Sequence, residues 1–205
     1  MENFELVDNL LQITALLCAA VLAAGLALRD RSRSLLILAL AYACFSMGTT
    51  YYVLYLVIIG IWPQVFYVAE ISWLAAWLFY LSTQILRTEG MPLRFSWPAG
   101  GAAAVVAAAA LALQAFGPSY FFSALFALTV GATAYLSVYH LQNGRAQRDI
   151  DLLLLGCVVL QLLVYLVSTF TRDYTHFNLY YAVDLTLTLS MAALLPLTLR
   201  EVSRK

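Results

Sequence analysis

Apolar residues fill seven stretches of the chain, near 9 to 28, 35 to 59, 62 to 86, 97 to 117, 119 to 141, 150 to 171 and 177 to 199, with polar residues gathered in the short joints between them. A helix needs roughly 20 apolar residues to cross the hydrocarbon core of a bilayer, and each stretch reaches that length. The pattern predicts an all-α polytopic membrane protein of seven transmembrane helices. The joints are too short to hold a soluble module, so residues 1–205 are expected to form a single seven-helix transmembrane domain.

Punctuation along the chain agrees with these borders. Pro63, Pro98 and Pro118 stand where helices begin, positions at which the missing amide costs little. Pro196 falls inside the seventh stretch, and a local bend is expected there. The first stretch is preceded by Glu2, Glu5 and Asp8 rather than by basic residues, so it reads as a retained helix and not as a secretory signal.

Charge sets the expected orientation. With the N-terminus outside, the inner side receives Arg29, Arg31, Arg33, Arg87, Arg94, Arg145, Arg148, Arg200, Arg204 and Lys205, leaving Arg172 alone of 11 basic residues outside. The positive-inside rule therefore predicts N-out and C-in, in a cell membrane such as the bacterial inner membrane. Composition strengthens the membrane reading: 63% of residues are hydrophobic and 11% charged, with a mean hydropathy of +0.86.

Charged side chains inside spans are costly and usually face the bundle interior or water, which makes Glu70 and Asp184 the leading functional candidates. Each lies seven or eight residues from the expected outer border of its helix, roughly 10 to 12 Å deep at 1.5 Å per residue. They are expected to border one outward-opening cavity. Helical spacing places Pro63, Phe66, Tyr67, Trp73 and Trp77 with Glu70, and Phe177, Tyr180, Tyr181 and Thr188 with Asp184. The second helix adds Thr50, Tyr51 and Tyr55, and the sixth adds Gln161, Tyr165, Ser168 and Thr169, ending at Arg172. The expected ligand-binding set is Glu70, Asp184, Trp73, Tyr67, Tyr51, Tyr181, Gln161 and Tyr165. Two carboxylates ringed by aromatics suit a small molecule or cation arriving from the outer side. The alternative is a structural role, each carboxyl hydrogen-bonded to a Tyr, a Thr or Arg172. Tyr55, Trp62 and Tyr174 read as interfacial belt residues.

Small residues mark close packing. Gly100, Ala104, Ala108 and Ala112 recur every four residues, as do Ala19 with Ala23 and Ala20 with Ala24, giving flat faces that a neighbouring helix can approach. Packing inside the bundle is the first reading, and a homodimer through helix 97–117 the second.

Catalytic and metal chemistry find little support. Cys18, Cys44 and Cys157 lie in spans without CxxC spacing, and they read as core residues. His140 and His176 fall at helix ends, where a capping or solvated role is expected. No metalloprotease, serine hydrolase or phosphate-loop motif occurs. No catalytic residue, metal, cofactor or nucleic-acid partner is therefore expected, and an enzyme is the less favoured class. Lys205 at the tail is the only lysine, which removes a retinal Schiff base and with it a rhodopsin pigment.

The run Tyr67-Val68-Ala69-Glu70-Ile71-Ser72-Trp73-Leu74-Ala75-Ala76-Trp77-Leu78-Phe79-Tyr80 resembles the acidic, aromatic helix of heptahelical input modules of bacterial membrane sensor kinases and cyclases. The resemblance covers one helix and the topology. It implies a stand-alone sensor or receptor in which Glu70 takes the acidic position and a separate cytoplasmic partner supplies the output. Pro63-Gln64 resembles the dipeptide of PQ-loop transporters, but it occurs once and at the outer end of its helix. Alternatives to a sensor are a small proton- or cation-coupled transporter and an integral membrane lipid-handling enzyme or scaffold.

Overall fold

The computed structural model describes residues 4–59, 67–92, 94–114, 119–143 and 148–203, Tyr67 by its backbone alone. These residues form seven helices: α1 Phe4–Asp30, α2 Arg33–Ile59, α3 Tyr67–Thr88, α4 Trp97–Leu113, α5 Tyr120–Gln142, α6 Arg148–Phe170 and α7 Leu179–Val202. Among the described residues there is no strand. Five helices, α1, α2, α5, α6 and α7, are long and apolar enough to cross a membrane, and α4 is a shorter apolar helix. Large apolar side chains such as Val21, Leu28, Ile58, Val105, Leu128 and Leu189 stand exposed on the outside of the bundle. That surface is compatible with a multi-pass membrane protein, whose outer face meets lipid rather than water.

Six helices close into a ring, each packed on the next in the order α1, α2, α3, α5, α6, α7 and back to α1, while α4 lies outside it against α5 and α6. Alanine makes the α1 side of this ring thin. Of the expected small-residue pairs, Ala19, Ala20 and Ala23 are buried and Ala24 is half-buried, and Leu16 and Ala27 are buried beside them. The turn into α2 is only Arg31 and Ser32, with Arg31 at φ 48°.

The stripe of α4 is a correction. Ala104, Ala108 and Ala112 face outward, and the packed line is instead Ala99 and Ala110, both buried, with Ala103 and Ala107 half-buried between them. Gly131 of α5 decides this, because a Cβ built there would lie 3.2 Å from both the Ala103 carbonyl oxygen and the Ala107 methyl. The two helices touch backbone to backbone at the crossing, and only one face of α4 can be turned to it. Ser96 caps α4 by accepting from the Ala99 amide at 3.3 Å, with Pro98 in the first turn. The predicted helix-start prolines Pro63 and Pro118 fall outside the described residues, and α7 runs on through Pro196.

A second close approach joins α2 to α3. A Cβ on Gly48 would stand 2.8 Å from Trp73 Nε1 and 3.0 Å from the Ala69 carbonyl oxygen. Gly48→Ala is therefore expected to push Trp73 out of place and to cost about 1–3 kcal/mol, as overpacking of a filled interior does. A lowered melting temperature with an altered tryptophan emission spectrum checks it; wild-type values for both would show that the helices separate freely there.

Candidate functional site

One face of α3 runs the length of the bundle. Glu70, Trp73, Trp77, Tyr80, Gln84 and Arg87 follow one another at spacings of three and four, so they line up on the inner side of the ring. Trp77, Tyr80, Gln84 and Arg87 are 1%, 1%, 0% and 4% exposed. The first three residues of this line belong to a cavity, Tyr80 to an aromatic plug, and the last two to a buried ionic network.

The cavity has a volume of about 570 Å³ and lies at the end of the bundle where α1 begins. Its acidic residues are Glu5 of α1, Glu70 of α3 and Asp184 of α7. No Lys, Arg or His is among the described residues that line it. Aromatic side chains supply most of the remaining wall: Phe45 and Tyr52 of α2, Trp73 and Trp77 of α3, Phe122 and Phe126 of α5, Tyr165 of α6, Tyr180 of α7, and Tyr174 of the α6–α7 link. Gln12, Asn9, Gln161, Ser168 and Thr169 provide neutral polar groups.

Hydrogen bonds hold the α1 and α7 side. Gln12 Nε2 donates to Asp184 Oδ2 and to Thr188 Oγ1, both at 3.1 Å. Thr49 Oγ1 donates to Gln12 Oε1 at 2.7 Å, and Trp73 Nε1 donates to Thr49 Oγ1 at 3.3 Å. The Tyr52 hydroxyl donates to Glu5 Oε1. The link after α6 is tied to the start of α1, since the Phe4 amide donates to the Thr175 carbonyl at 3.3 Å and the Phe4 ring meets Tyr181 at 4.8 Å. In that link burial raises the Tyr174 hydroxyl above its ordinary pKa, and the charge of Glu5 adds to the effect. Glu70 differs from the other two acids: its Oε2 is buried and has no hydrogen-bond partner among the described residues.

Of the residues expected at the site, Glu70, Asp184, Trp73, Gln161 and Tyr165 line the cavity. Tyr67 is described only as backbone. Tyr51 and Tyr181 do not line the cavity. The inward face of α2 carries Phe45, Thr49 and Tyr52, one position round from Tyr51, whose ring lies 6.2 Å from that of Tyr55. Tyr181 is 1% exposed behind the wall, and its hydroxyl donates to the Tyr174 carbonyl at 2.5 Å. Tyr174 itself, read from the sequence as a belt residue, lines the cavity, and Arg172 is exposed and does not.

Sequence reasoning missed the α1 contribution. Glu5 and Asp8 looked like flanking charges, yet both are buried, at 7% and 5% exposure, with Gln12 at 6%. The signal was present: positions 5, 8, 12, 16, 19 and 23 form one helical stripe that is polar at the start and alanine-rich later.

The plug lies beneath the cavity floor. Trp77 meets Tyr80 edge to face at 5.6 Å, and Tyr80 meets Tyr42 at 6.3 Å. The Tyr42 hydroxyl donates to the Met191 carbonyl at 2.7 Å, which ties α2 to α7.

Beyond the plug stands the ionic network. Arg87 pairs with Asp151 of α6, Nη1 to Oδ1 at 2.6 Å and Nη2 to Oδ2 at 3.2 Å. Its Nε reaches Glu201 Oε2 of α7 at 2.9 Å. Gln84 Nε2 donates to Asp151 Oδ1 at 2.9 Å and to Ser137 Oγ of α5 at 2.8 Å. His140 of α5 lies between Asp151, 3.0 Å from Nδ1, and Thr88, 3.0 Å from Nε2. It is fully buried, which overturns the expectation of a capping or solvated residue. Its partner Asp151 is on the next helix, so neither position announces the pair. Among the described residues no group of three or more His, Cys, Asp and Glu could hold a metal ion.

No protein-family model, curated protein or solved structure matches this chain.

Proposed function

We propose that this protein is a heptahelical membrane receptor for an organic cation with an apolar body, taken from the side of the membrane that holds the N-terminus. The cavity supports the ligand class. Three acids without a lining base attract positive charge, the aromatic walls accept both a cation over their faces and an apolar body, and about 570 Å³ suits a small molecule. Glu70 Oε2 is a buried acceptor awaiting a donor or a charge.

The single observation that carries a signalling role is that α3, α6 and α7 each serve both ends of the bundle. Glu70, Tyr165 and Asp184 line the cavity, while Arg87, Asp151 and Glu201 of the same helices form the buried network. A ligand that shifts any of these helices strains the network, which passes the change to a cytoplasmic partner. The basic residues of the inner links fit the N-out, C-in orientation in the cell membrane, although Arg87 is paired inside the bundle and contributes no free surface charge.

A second reading, a carrier, is favoured by the closure of one end. A cavity open at one side with an aromatic plug and an ionic seal at the other has the form of one state of an alternating-access protein.

Reconstitution into liposomes tests both. Benzyltrimethylammonium, a far less membrane-permeant aromatic cation, is expected to bind saturably from the N-terminal side and to enter the liposomes no faster than it enters protein-free ones. Accumulation beyond that of protein-free liposomes would convert the receptor into a carrier, and failure of this and other aromatic cations to bind would end the cavity reading. A C-terminal reporter active only outside the cell would reverse the orientation.

A further inference from the structure

Two carboxyls meet behind the cavity wall. Asp184 lines the cavity, and Gln12, which donates to it at 3.1 Å, shares the buried face of α1 with Asp8 one turn earlier, so that the Asp8 carboxyl stands against that of Asp184. Asp8 is 5% exposed, and among the described residues its carboxyl has no other partner. The far side of Asp184 is taken by Gln12 Nε2, itself fixed by Thr49 and Thr188. The pair is thus built into the wall by three helices.

An ionised carboxylate accepts hydrogen bonds and donates none. Contact between two of them in a low-dielectric interior requires a positive charge at the contact, either a proton held between the oxygens or a cation beside them. The titratable side chains that line the cavity with Asp184 are Glu5 from α1, Tyr52 from α2, Glu70 from α3, Tyr165 from α6, Tyr174 from the link and Tyr180 from α7, and Tyr181 stands behind the wall near Asp8. The described residues that α5 turns to the cavity, Phe122, Ser123 and Phe126, do not titrate. None of these neighbours is a base, so no side chain supplies the missing charge.

We infer that the Asp8–Asp184 pair is a proton-binding site, and that an organic cation entering the cavity displaces its proton. This rests on the cation reading of the cavity. One O–H bond is broken, the proton leaves to water, and the positive charge of the ligand replaces it beside Asp184. The net charge of the site is unchanged by the exchange, which avoids leaving an unpaired carboxylate in a dry wall.

The full chain in detergent, with tetraphenylphosphonium as probe, tests the exchange. Calorimetric titration in two buffers of different ionisation heat counts the protons, and about one released per bound cation is expected. Infrared spectroscopy should show the carbonyl stretch of a protonated carboxyl in the free protein and its loss on adding the probe. Asp8→Asn keeps an N–H donor against Asp184, so this variant is expected to fold and bind with neither the band nor proton release. Asp184→Asn should lack the band as well. A free protein without the band, or probe binding with no proton released, overturns the exchange while leaving the cation cavity standing. A wild-type protein that shows the band but binds no aromatic cation overturns the exchange together with the cavity reading.

Discussion

Replacing Arg87 with Met is expected to lower the stability of the bundle more than any single change in the cavity. The substitution takes the guanidinium away from Asp151 and Glu201, both buried, and breaking one partner of a buried pair costs about 3–5 kcal/mol. For a chain of this size that corresponds to a fall in melting temperature of roughly 6–20 °C. Arg87→Lys should recover only part of it, because an ammonium cannot make the paired contact to Asp151 and reach Glu201 together. The triple change Arg87→Met, Asp151→Asn, Glu201→Gln also removes the two carboxylate charges that Arg87 balances, and it is expected to restore much of the loss. Thermal unfolding followed by size-exclusion chromatography in detergent reads the series. A single mutant as stable as wild type would mean that water reaches the two acids and that the seal is open.

Glu70→Gln is expected to weaken binding of an aromatic cation strongly at little structural cost. Removing one charge from the cavity should cost on the order of 2 kcal/mol or more in binding, roughly a thirty-fold weaker Kd. Stability should hardly change, since Glu70 Oε2 has no hydrogen-bond partner to lose among the described residues. Asp184→Asn is expected to weaken binding similarly but to lower the melting temperature as well, because Asp184 also accepts from Gln12 and contacts Asp8. Binding isotherms beside melting curves separate the two effects. If Glu70→Gln bound the probe as wild type does, the acid would lie outside the binding site; if it unfolded, its role would be structural.

How much of this arrangement could be read from the chain depends on which interactions are local. Seven helices and their approximate borders follow from long apolar runs and helix-start residues, and the Glu70, Trp73, Trp77 face follows from three-and-four spacing. The α6 stripe of Gln161, Tyr165, Ser168 and Thr169 was legible for the same reason, and all four residues line the cavity.

What tertiary packing alone decided are the relations between helices. Tyr52 rather than Tyr51 turns inward, because the rotation of α2 is set by Gly48 meeting Trp73 and by Thr49 meeting Gln12. Gly131 chose the buried face of α4, against the more regular stripe at 104, 108 and 112. His140, Asp151, Arg87 and Glu201 come from four helices and are as far as 114 positions apart, a separation across which no periodicity carries information. The same is true of Asp8 and Asp184, which the closing of α1 against α7 brings together. Helical period records which side chains share a face, whereas the partner of that face depends on rotation and crossing, and those are fixed only when all seven helices pack at once.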